Sequence, residues 1–501
     1  MTSGDTAVLQ SRFDAGRQAY NAGLHECLRR RDLMLQSRAY SAARLLPRGA
    51  PRTRVFRELH RRFGLTKFEM DRWCTRKLSR SWIADHIHAQ MRRAIATRAL
   101  RATMNFHFGK QGRPRFKGLN QMASIAGEEP KNTLRLRDTR IHWLGLSLAL
   151  EDGGDQARLR HAVVSDVRVI RIVRRRVRSR HRYYVQLVCA GTPYRKPGLD
   201  FGTRRVGIDP GLRYLAVATT TSGALINIAP LSIERTISRL SRAVSRKTAS
   251  RVALSTGDSN LKSRRLRHLQ SRLADEHRRS METRRNLHGR IANAIVRLGT
   301  NLYIEKNSFR AFQRRYGRTI QSAAPAAMIQ HLIRKAANAG GEVVLVSPTL
   351  RMSQLCHGCG AIVPKDLDLR MHVCVCGVGP VQRDIYSAWL AIMTRSDPTG
   401  SVRWFDADQA RSAWSGAEQR LPAASKPVSI DLFEDWIEAQ VASGDGSVAS
   451  PDAGTERLAS EACVKLGEAR DVVGNMPRAR ESRADQRPVR KRSAAYAVAL
   501  P

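Results

Sequence analysis

The chain has 501 residues, and 88 Lys and Arg residues against 43 Asp and Glu residues give it a net charge of +45. Such a charge predicts a polyanionic partner, for which nucleic acid is the leading candidate and an anionic membrane surface the alternative. No apolar run approaches the ~20 residues of a membrane-spanning helix and no secretory signal opens the sequence, so we expect a cytoplasmic protein.

Helical patterns occupy residues 1–105, which we predict to be a nucleic-acid-recognition region. In "LQSRFDAGRQAYNAGLHECLRRRDLM", Phe13, Ala19, Leu24 and Leu28 fall near helical spacing, with Arg on the other face. "SWIADHIHAQMRRAIATRALRATM" repeats the pattern. A single cationic helix face is typical of solvated protein surface. Several such faces in succession, with few acidic residues to compensate their charge, favour a groove that binds nucleic acid.

Strand patterns follow over residues 106–200, which we predict to be a β-rich, barrel-like region. "RIHWLGLSLAL", "VRVIRIVRRRV" and "RYYVQLVCA" alternate in the manner of antiparallel strands. The Gly- and Pro-broken loop "GRPRFKG" offers Arg113, Arg115 and Lys117 as phosphate contacts. Its Phe116 either stacks on a base or packs inward.

An α/β pattern begins at residue 201. The predicted strands are "RRVGID", "LRYLAVATT", "ALINIAP", "LGTNLYIEKNSF" and "EVVLVSP". Two long basic helices over residues 232–298 are divided at "TGDSN", and "AAPAAMIQHLIRKAANAGG" is a helix stopped by Gly-Gly. This succession predicts an α/β domain over residues 201–350, completed by the helix "RDIYSAWLAIM" within residues 381–396.

The last hundred residues have a different composition. Residues 401–501 hold 14 Lys and Arg and 15 Asp and Glu, so the excess positive charge lies in the first 400 residues, which hold 74 and 28. The tail contains the stretch "VASGDGSVASPDAGTERLAS", rich in Ala, Ser, Gly and Asp. We predict a mostly disordered segment over residues 397–501, with one amphipathic helix at "SIDLFEDWIEAQV".

Three acids occupy comparable places in the α/β pattern. Asp209 ends the strand "VGID", Glu305 ends "LYIE", and Asp384 opens the helix "DIYSAWLAIM". Such positions share the rim of an α/β sheet, where carboxylates can hold Mg²⁺ for phosphodiester hydrolysis. Alternatively, Asp209 forms a turn before Pro-Gly and Asp384 caps its helix. Glu305, at the end of a buried strand, needs a partner.

Four of the eight cysteines fall within 21 positions, in a segment over residues 351–380. Cys356, Cys359, Cys374 and Cys376 form two close pairs separated by a stretch long enough for a hairpin, which predicts a structural zinc ribbon. The second pair is one residue shorter than the usual Cys-x-x-Cys. His357 or His372 is therefore an alternative to one thiolate.

The motifs together resemble a known family. "VGIDPGLRYLAVATT", "LYIEKNSFRAF" and "CHGC…CVC…RDIYSAWLA" are similar to the split RuvC-like nuclease of the TnpB family, whose close relatives include the compact type V CRISPR effectors. "FDAGRQAYNAGLHE" and "GRPRFKG" also resemble that family. The similarity runs in the same order over roughly residues 10–395.

This resemblance implies a multidomain α+β fold, with a helical and β-barrel-like N-terminal lobe and an RNase H-like (RuvC) nuclease domain carrying an inserted zinc ribbon. It implies an RNA-guided, Mg²⁺-dependent DNA endonuclease whose partners are a guide RNA and double-stranded target DNA. Asp209, Glu305 and Asp384 match the family's catalytic acids.

The sequence departs from the family at two places. The family's last motif usually reads acid-Arg-Asp-x-Asn-Ala, whereas Gln382 and Tyr386 replace the acid and the Asn here. The short strand that usually precedes the first helix is not evident. Two alternatives therefore remain: a guided DNA-binding protein with weak or absent cleavage, and an unguided nucleic-acid-binding zinc-ribbon protein.

Overall fold

The computed structural model describes residues 1–129, 132–151, 155–177, 180–198, 200–229, 234–254, 263–366, 368–396, 403–421, 426–443 and 493–499. The chain divides into two compact units, Met1–Tyr194 with Ala453–Pro501, and Arg195–Asp452. The helical and β-rich regions that the sequence analysis separated at residue 105 therefore lie in one unit. Among the described helices, none is both long and apolar enough to span a membrane.

Helices open the first unit, as the sequence analysis predicted. They are α1 (Ser3–Gln36), α2 (Arg38–Leu45), α3 (Ala50–Arg62), α4 (Lys67–Leu78), α5 (Ile83–His86) and α6 (Ala89–His107). A capping box between Thr2 and Asp5 starts α1. The predicted apolar stripe of α1 is buried, with Phe13 and Leu24 fully inaccessible to solvent.

Short strands and two long ones follow the helices in this unit. They are β1 (Ser124–Gly127), β2 (Arg135–Arg137), β3 (Arg140–Trp143), β4 (Leu146–Ala149), β5 (Asp166–Val177) and β6 (Arg180–Ala190), with α7 (Gln156–Val164) before β5. One sheet has the order β2-β3-β4, and β5 pairs with both β1 and β6 in another. Phe13 of α1 packs edge-on against Tyr183 of β6, with ring centroids 5.6 Å apart, so helices and sheets share one core.

A mixed sheet forms the centre of the second unit. Its strands are β7 (Arg205–Pro210), β8 (Tyr214–Ala218), β9 (Gly223–Asn227), β10 (Asn301–Glu305) and β11 (Val343–Val346), in the order β11-β10-β7-β8-β9. β7, β8 and β9 are an antiparallel meander, whereas β10 lies parallel to β7 and β11 parallel to β10.

Helices lie on both faces of this sheet. The helices of this unit are α8 (Glu234–Leu254), α9 (Arg264–Leu298), α10 (Phe309–Ala323), α11 (Pro325–Asn338), α12 (Arg383–Ile392), α13 (Ala407–Ala417) and α14 (Ile430–Ala442). Its short strands are β12 (Met371–His372), β13 (Val381–Gln382), β14 (Thr394–Ser396) and β15 (Arg403–Phe405). Val206 and Ile208 of β7 join a core with α9, α11 and α14. Ala216 and Ala218 of β8 join the opposite core, which contains α12. The predicted break at "TGDSN" lies outside the described residues.

The structure corrects part of the expectation for residues 397–501. The predicted helix is present as α14, but α13 and the β14–β15 pair were not expected. α13 and α14 are ordered because apolar side chains, such as Ala410 of α13 and Phe433 of α14, are buried in the second unit. Most of the low-complexity stretch lies outside the described residues.

A last strand, β16 (Ser493–Ala499), pairs antiparallel with β6 in the first unit. The order of that sheet is then β1-β5-β6-β16. This order is linear, so the barrel-like closure expected for residues 106–200 is not seen in the part of the chain that the structure describes. Strand content is as predicted, but the strands split between an open sheet and the separate β2-β3-β4 sheet.

Candidate active site and cysteine centre

Two parallel strands place Asp209 and Glu305 side by side. Ile208 of β7 is in register with Ile304 of β10, so the next residue on each strand is the acid. Asp209 is itself paired with Ala216 of β8. It therefore belongs to the strand, and the interpretation of Asp209 as a turn former is wrong: the turn follows Pro210. The loop after β10 returns to β7, where Asn307 Nδ2 donates to the Pro210 carbonyl at 3.2 Å.

Helix α12 brings the third acid to this edge of the sheet. Asp384 is the second residue of α12. The N-cap is Gln382, whose side-chain oxygen accepts from the Ile385 backbone N–H at 2.7 Å. The interpretation of Asp384 as the helix cap is therefore wrong. Capping by Gln382 leaves the Asp384 carboxylate free to face its neighbours.

Close packing of α12 on the sheet depends on two glycines. A Cβ atom on Gly207 of β7 would overlap the carbonyl oxygen of Ala388, and one on Gly223 would overlap a methyl group of Ile385. Neither clash involves the end of a long flexible side chain, so neither is easily relieved. Gly207 lets the helix lie directly on β7, next to Asp209, and Gly223 allows the same close approach to β9.

Burial and mutual repulsion mark the three acids as one site. Asp209 is only 8% exposed. Burial, followed by the neighbouring carboxylates Glu305 and Asp384, raises the pKa of Asp209 well above its usual range. Burial and the charge of Asp384 also raise the pKa of Glu305. The three acids predicted from the sequence therefore lie near enough to one another to perturb each other's pKa.

Three donors contact the carboxylate of Asp384. Arg370 Nη1 and Gln382 Nε2 donate to Oδ2 at 3.2 and 3.3 Å. The guanidinium of Arg383 donates to Oδ1 at 3.2 Å. Gln382, one of the two departures from the family motif, is thus a partner of Asp384, and Arg370 is a partner that the sequence did not indicate. Arg370 lies 14 residues away, and no local pattern would have revealed it.

The four cysteines converge on one point. Their Sγ atoms all lie within 4.8 Å of one another. Cys356 and Cys376 are separated by 3.5 Å between sulfurs, as are Cys359 and Cys374. A tetrahedral Zn²⁺ with Zn–S bonds of about 2.3 Å requires sulfurs about 3.8 Å apart. The donor set fits a structural metal, and hydrogen bonds from Cys376 lower the pKa of the Cys374 thiol to about 7.

The alternative histidine ligands lie outside this cluster. Nδ1 of His357 is 2.7 Å from the hydroxyl of Tyr386, and Nδ1 of His372 is 2.7 Å from the ammonium of Lys365. Both histidines are buried, and desolvation lowers each pKa to about 4. They serve as neutral packing groups beneath the cysteine knuckle, so the histidine alternative is wrong.

The loop "GRPRFKG" lies in the first unit and is anchored to α1. Asn21 Oδ1 accepts from the Lys117 backbone N–H at 2.8 Å, and Asn21 Nδ2 donates to the Lys117 carbonyl at 2.9 Å. Arg113 and Arg115 are exposed, and Phe116 is 52% exposed, which argues against inward packing. The ammonium of Lys117 lies over the Tyr20 ring, 4.8 Å from the centroid.

A family model covers the segment that holds both the cysteine centre and the third acid. Residues 326–390 match the Cas12f1-like TNB domain. This part of the chain is Cas12f1-like. The resemblance to a compact type V effector is confirmed for the Cas12f1-like segment, which runs from α11 to the last turn of α12.

Solved structures and curated proteins were also compared with the chain. A cryo-EM structure of a Cas12f1–sgRNA–target DNA complex matches with 13% identity and a TM-score of 0.46, covering 79% of this chain and 84% of that one. A CRISPR–Cas12f ternary complex matches with 12% identity and a TM-score of 0.29, covering 78% and 82%. Among curated proteins, none matches the chain significantly.

Proposed function

We propose that this chain is an RNA-guided, Mg²⁺-dependent DNA endonuclease. The observation that supports this most directly is the meeting of Asp209, Glu305 and Asp384 at one edge of the sheet, although 96 and 79 positions separate them in the chain. An antiparallel meander followed by two parallel strands is consistent with the RNase H-like (RuvC) domain that the sequence resemblance implies.

The three acids are the proposed metal ligands. Asp209 lies under the influence of both other carboxylates, so it is the proposed shared ligand of a two-metal site. Mg²⁺ held there would neutralise charge on the attacking and leaving oxygens of the scissile phosphodiester. The sheet holds Asp209 and Glu305 rigidly, and α12 holds Asp384. The cysteine centre is proposed to bind a structural Zn²⁺, which fixes the segment that leads into α12.

The proposed partners are a guide RNA and double-stranded target DNA. The first 400 residues hold the excess positive charge, with 74 basic residues against 28 acidic ones. Arginine and lysine contacts to phosphates provide affinity without reading sequence, which suits a protein whose guide performs the reading. Arg113, Arg115 and Phe116 are the proposed contacts on the exposed loop.

The experiment compares the wild-type protein with Asp209→Ala. Each protein is expressed together with the DNA that flanks its gene and is then purified. The bound RNA is sequenced, and cleavage of DNA that matches this RNA is measured with Mg²⁺. We expect one discrete RNA species with both proteins and cleavage by the wild type alone. Recovery of heterogeneous cellular RNA would contradict the proposal that a guide RNA is bound. If both proteins bind the target DNA and neither cleaves it, the proposed nuclease activity is contradicted.

The contacts of Asp384 favour a second candidate, a guided DNA-binding protein with little cleavage. Arg370, Gln382 and Arg383 already satisfy this carboxylate, and two of these donors are cationic, so they compete with a metal ion. This candidate predicts stable occupancy of the matched target, measured by footprinting, without strand breaks. Appearance of Mg²⁺-dependent breaks that are lost in Asp209→Ala would exclude it.

A further inference from the structure

Tyr386 is buried at the junction between the acid site and the cysteine centre. It is completely inaccessible to solvent and lies two residues after Asp384, within the first turns of α12. The sequence resemblance places an Asn here in relatives. The replacement therefore introduces a large aromatic ring with a hydroxyl group at a fully buried position.

The hydroxyl group of Tyr386 is bound to the cysteine knuckle. The backbone N–H of His357 donates to this oxygen at 3.0 Å, and Nδ1 of the same histidine lies 2.7 Å from it. His357 sits between Cys356 and Cys359 in the chain. Because these groups are buried, deleting the hydroxyl would leave a backbone donor without its partner.

The ring of Tyr386 contacts the other half of the cysteine segment. The His372 ring lies 4.4 Å away between centroids, two residues before Cys374. Arg370, in the same stretch, donates to Asp384 and accepts through its carbonyl from the Arg383 backbone N–H at 2.8 Å. Both cysteine pairs are therefore linked to the start of α12 by direct contacts.

We propose that Tyr386 is a positioning residue that couples metal binding at the four cysteines to the placement of Asp384. This inference rests on the proposed function, since it assigns the acids a cation. Metal at the cysteines holds the knuckle in one geometry, and the Tyr386–His357 contact transmits that geometry to α12. Coupling between two binding sites is reciprocal, so cation binding at the acids also stabilises the cysteine-bound metal.

The test uses Tyr386→Phe, which removes the hydroxyl and keeps the ring. Mn²⁺ binding to the full-length, zinc-loaded protein is titrated by EPR, and subtraction of an Asp209→Ala titration isolates the acid site. Zinc release to a chromogenic chelator is timed with and without Mn²⁺. We expect about 10-fold weaker Mn²⁺ binding in the variant, as for other residues that orient metal ligands. We also expect Mn²⁺ to slow zinc release in the wild type but not in the variant.

Tyr316→Phe is the matched control, because Tyr316 is 38% exposed on α10; it should behave as the wild type. Should Tyr386→Phe fail to fold, His357→Ala removes the Nδ1 partner and should also abolish the effect of Mn²⁺ on zinc release. A folded variant whose zinc release still slows with Mn²⁺ overturns the proposal. These readouts need no DNA cleavage, so failure of the proposed nuclease activity is recorded separately.

Discussion

Gly207 lies against the backbone of α12 so closely that an added Cβ atom would overlap the carbonyl oxygen of Ala388. Gly207 is two residues before Asp209 on β7, and Ala388 is four residues after Asp384 on α12. The contact thus fixes the separation between the strand that holds one acid and the helix that holds another. The geometry of the acid site depends on the absence of a side chain at one position.

Gly207→Ala should therefore destabilise the second unit and displace Asp384. Overpacking of a close contact costs about 1–3 kcal/mol, and here the obstacle is backbone rather than a side chain that can turn away. The measurement is the free energy of unfolding in urea. Gly317→Ala is the control, because nothing lies within 4 Å of its Cβ position and alanine is the better helix former. Equal stability of the two variants would contradict the close packing.

The raised pKa values of Asp209 and Glu305 predict how stability changes with pH in Mg²⁺-free protein. A carboxyl whose pKa is higher in the folded than in the unfolded state stabilises the fold below its unfolded pKa. That contribution is lost as pH rises through the folded pKa. Asp209→Asn removes the buried charge, so it should be more stable than the wild type near neutral pH, and the difference should vanish near pH 4.

Urea unfolding between pH 4 and 8, with zinc retained and Mg²⁺ omitted, measures this difference. Added Mg²⁺ should stabilise the wild type and not Asp209→Asn, because only the wild type holds the full ligand set. The exposed Asp408, whose side chain is 91% accessible, provides the control Asp408→Asn, which should follow the wild type. A pH-independent difference between wild type and Asp209→Asn would refute the raised pKa of Asp209.

The elements around the acids were predictable from local sequence because strands and helices there have strong apolar patterns. β7, β10 and α12 lie where "VGID", "LYIE" and "RDIYSAWLAIM" indicated. The close approach of α12 was not predictable, since it joins Gly207 to residues about 180 positions away. A glycine within a strand signals a close backbone contact but does not name the partner.

Tertiary burial also explains why part of residues 397–501 is ordered although the composition there predicted disorder. Average composition over residues 397–501 predicted disorder, yet Ala410 and Ala417 of α13 are fully buried. Alanines give only a weak apolar pattern in the sequence, and the order of α13 comes from packing against α12 and its neighbours. The contact of Lys117 with Tyr20 of α1 was likewise not predictable, since the two residues lie 97 positions apart in the chain.

Helix α14 should contribute to stability through one buried aromatic side chain. Phe433 is fully buried and stacks with Trp436 at 5.6 Å, whereas its neighbour Leu432 is 58% exposed. Phe433→Ala should lower the free energy of unfolding by about 3–5 kcal/mol, and Leu432→Ala by less than about 0.5 kcal/mol. Urea unfolding followed by tryptophan fluorescence measures both. Similar small effects of the two substitutions would mean that α14 detaches from the core in solution.

The loop "GRPRFKG" should bind nucleic acid through Phe116 and its flanking arginines rather than through Lys117. Stacking of a base on an aromatic ring contributes about 1–3 kcal/mol, so Phe116→Ala should weaken binding of single-stranded RNA by about tenfold. Phe68→Ala is the matched control, since Phe68 is also exposed, at 68%. Arg113→Ala should lower the slope of log affinity against log salt by about 1.

Fluorescence anisotropy with a labelled oligonucleotide at several salt concentrations measures both effects. Lys117→Ala serves as the third comparison: its ammonium lies on the Tyr20 ring, so its loss should lower thermal stability and leave the salt slope unchanged. A phosphate contact by Lys117 would instead lower the slope by about 1, like Arg113. An unchanged affinity in Phe116→Ala would show that the exposed ring contacts no base, and the loop would then act through charge alone.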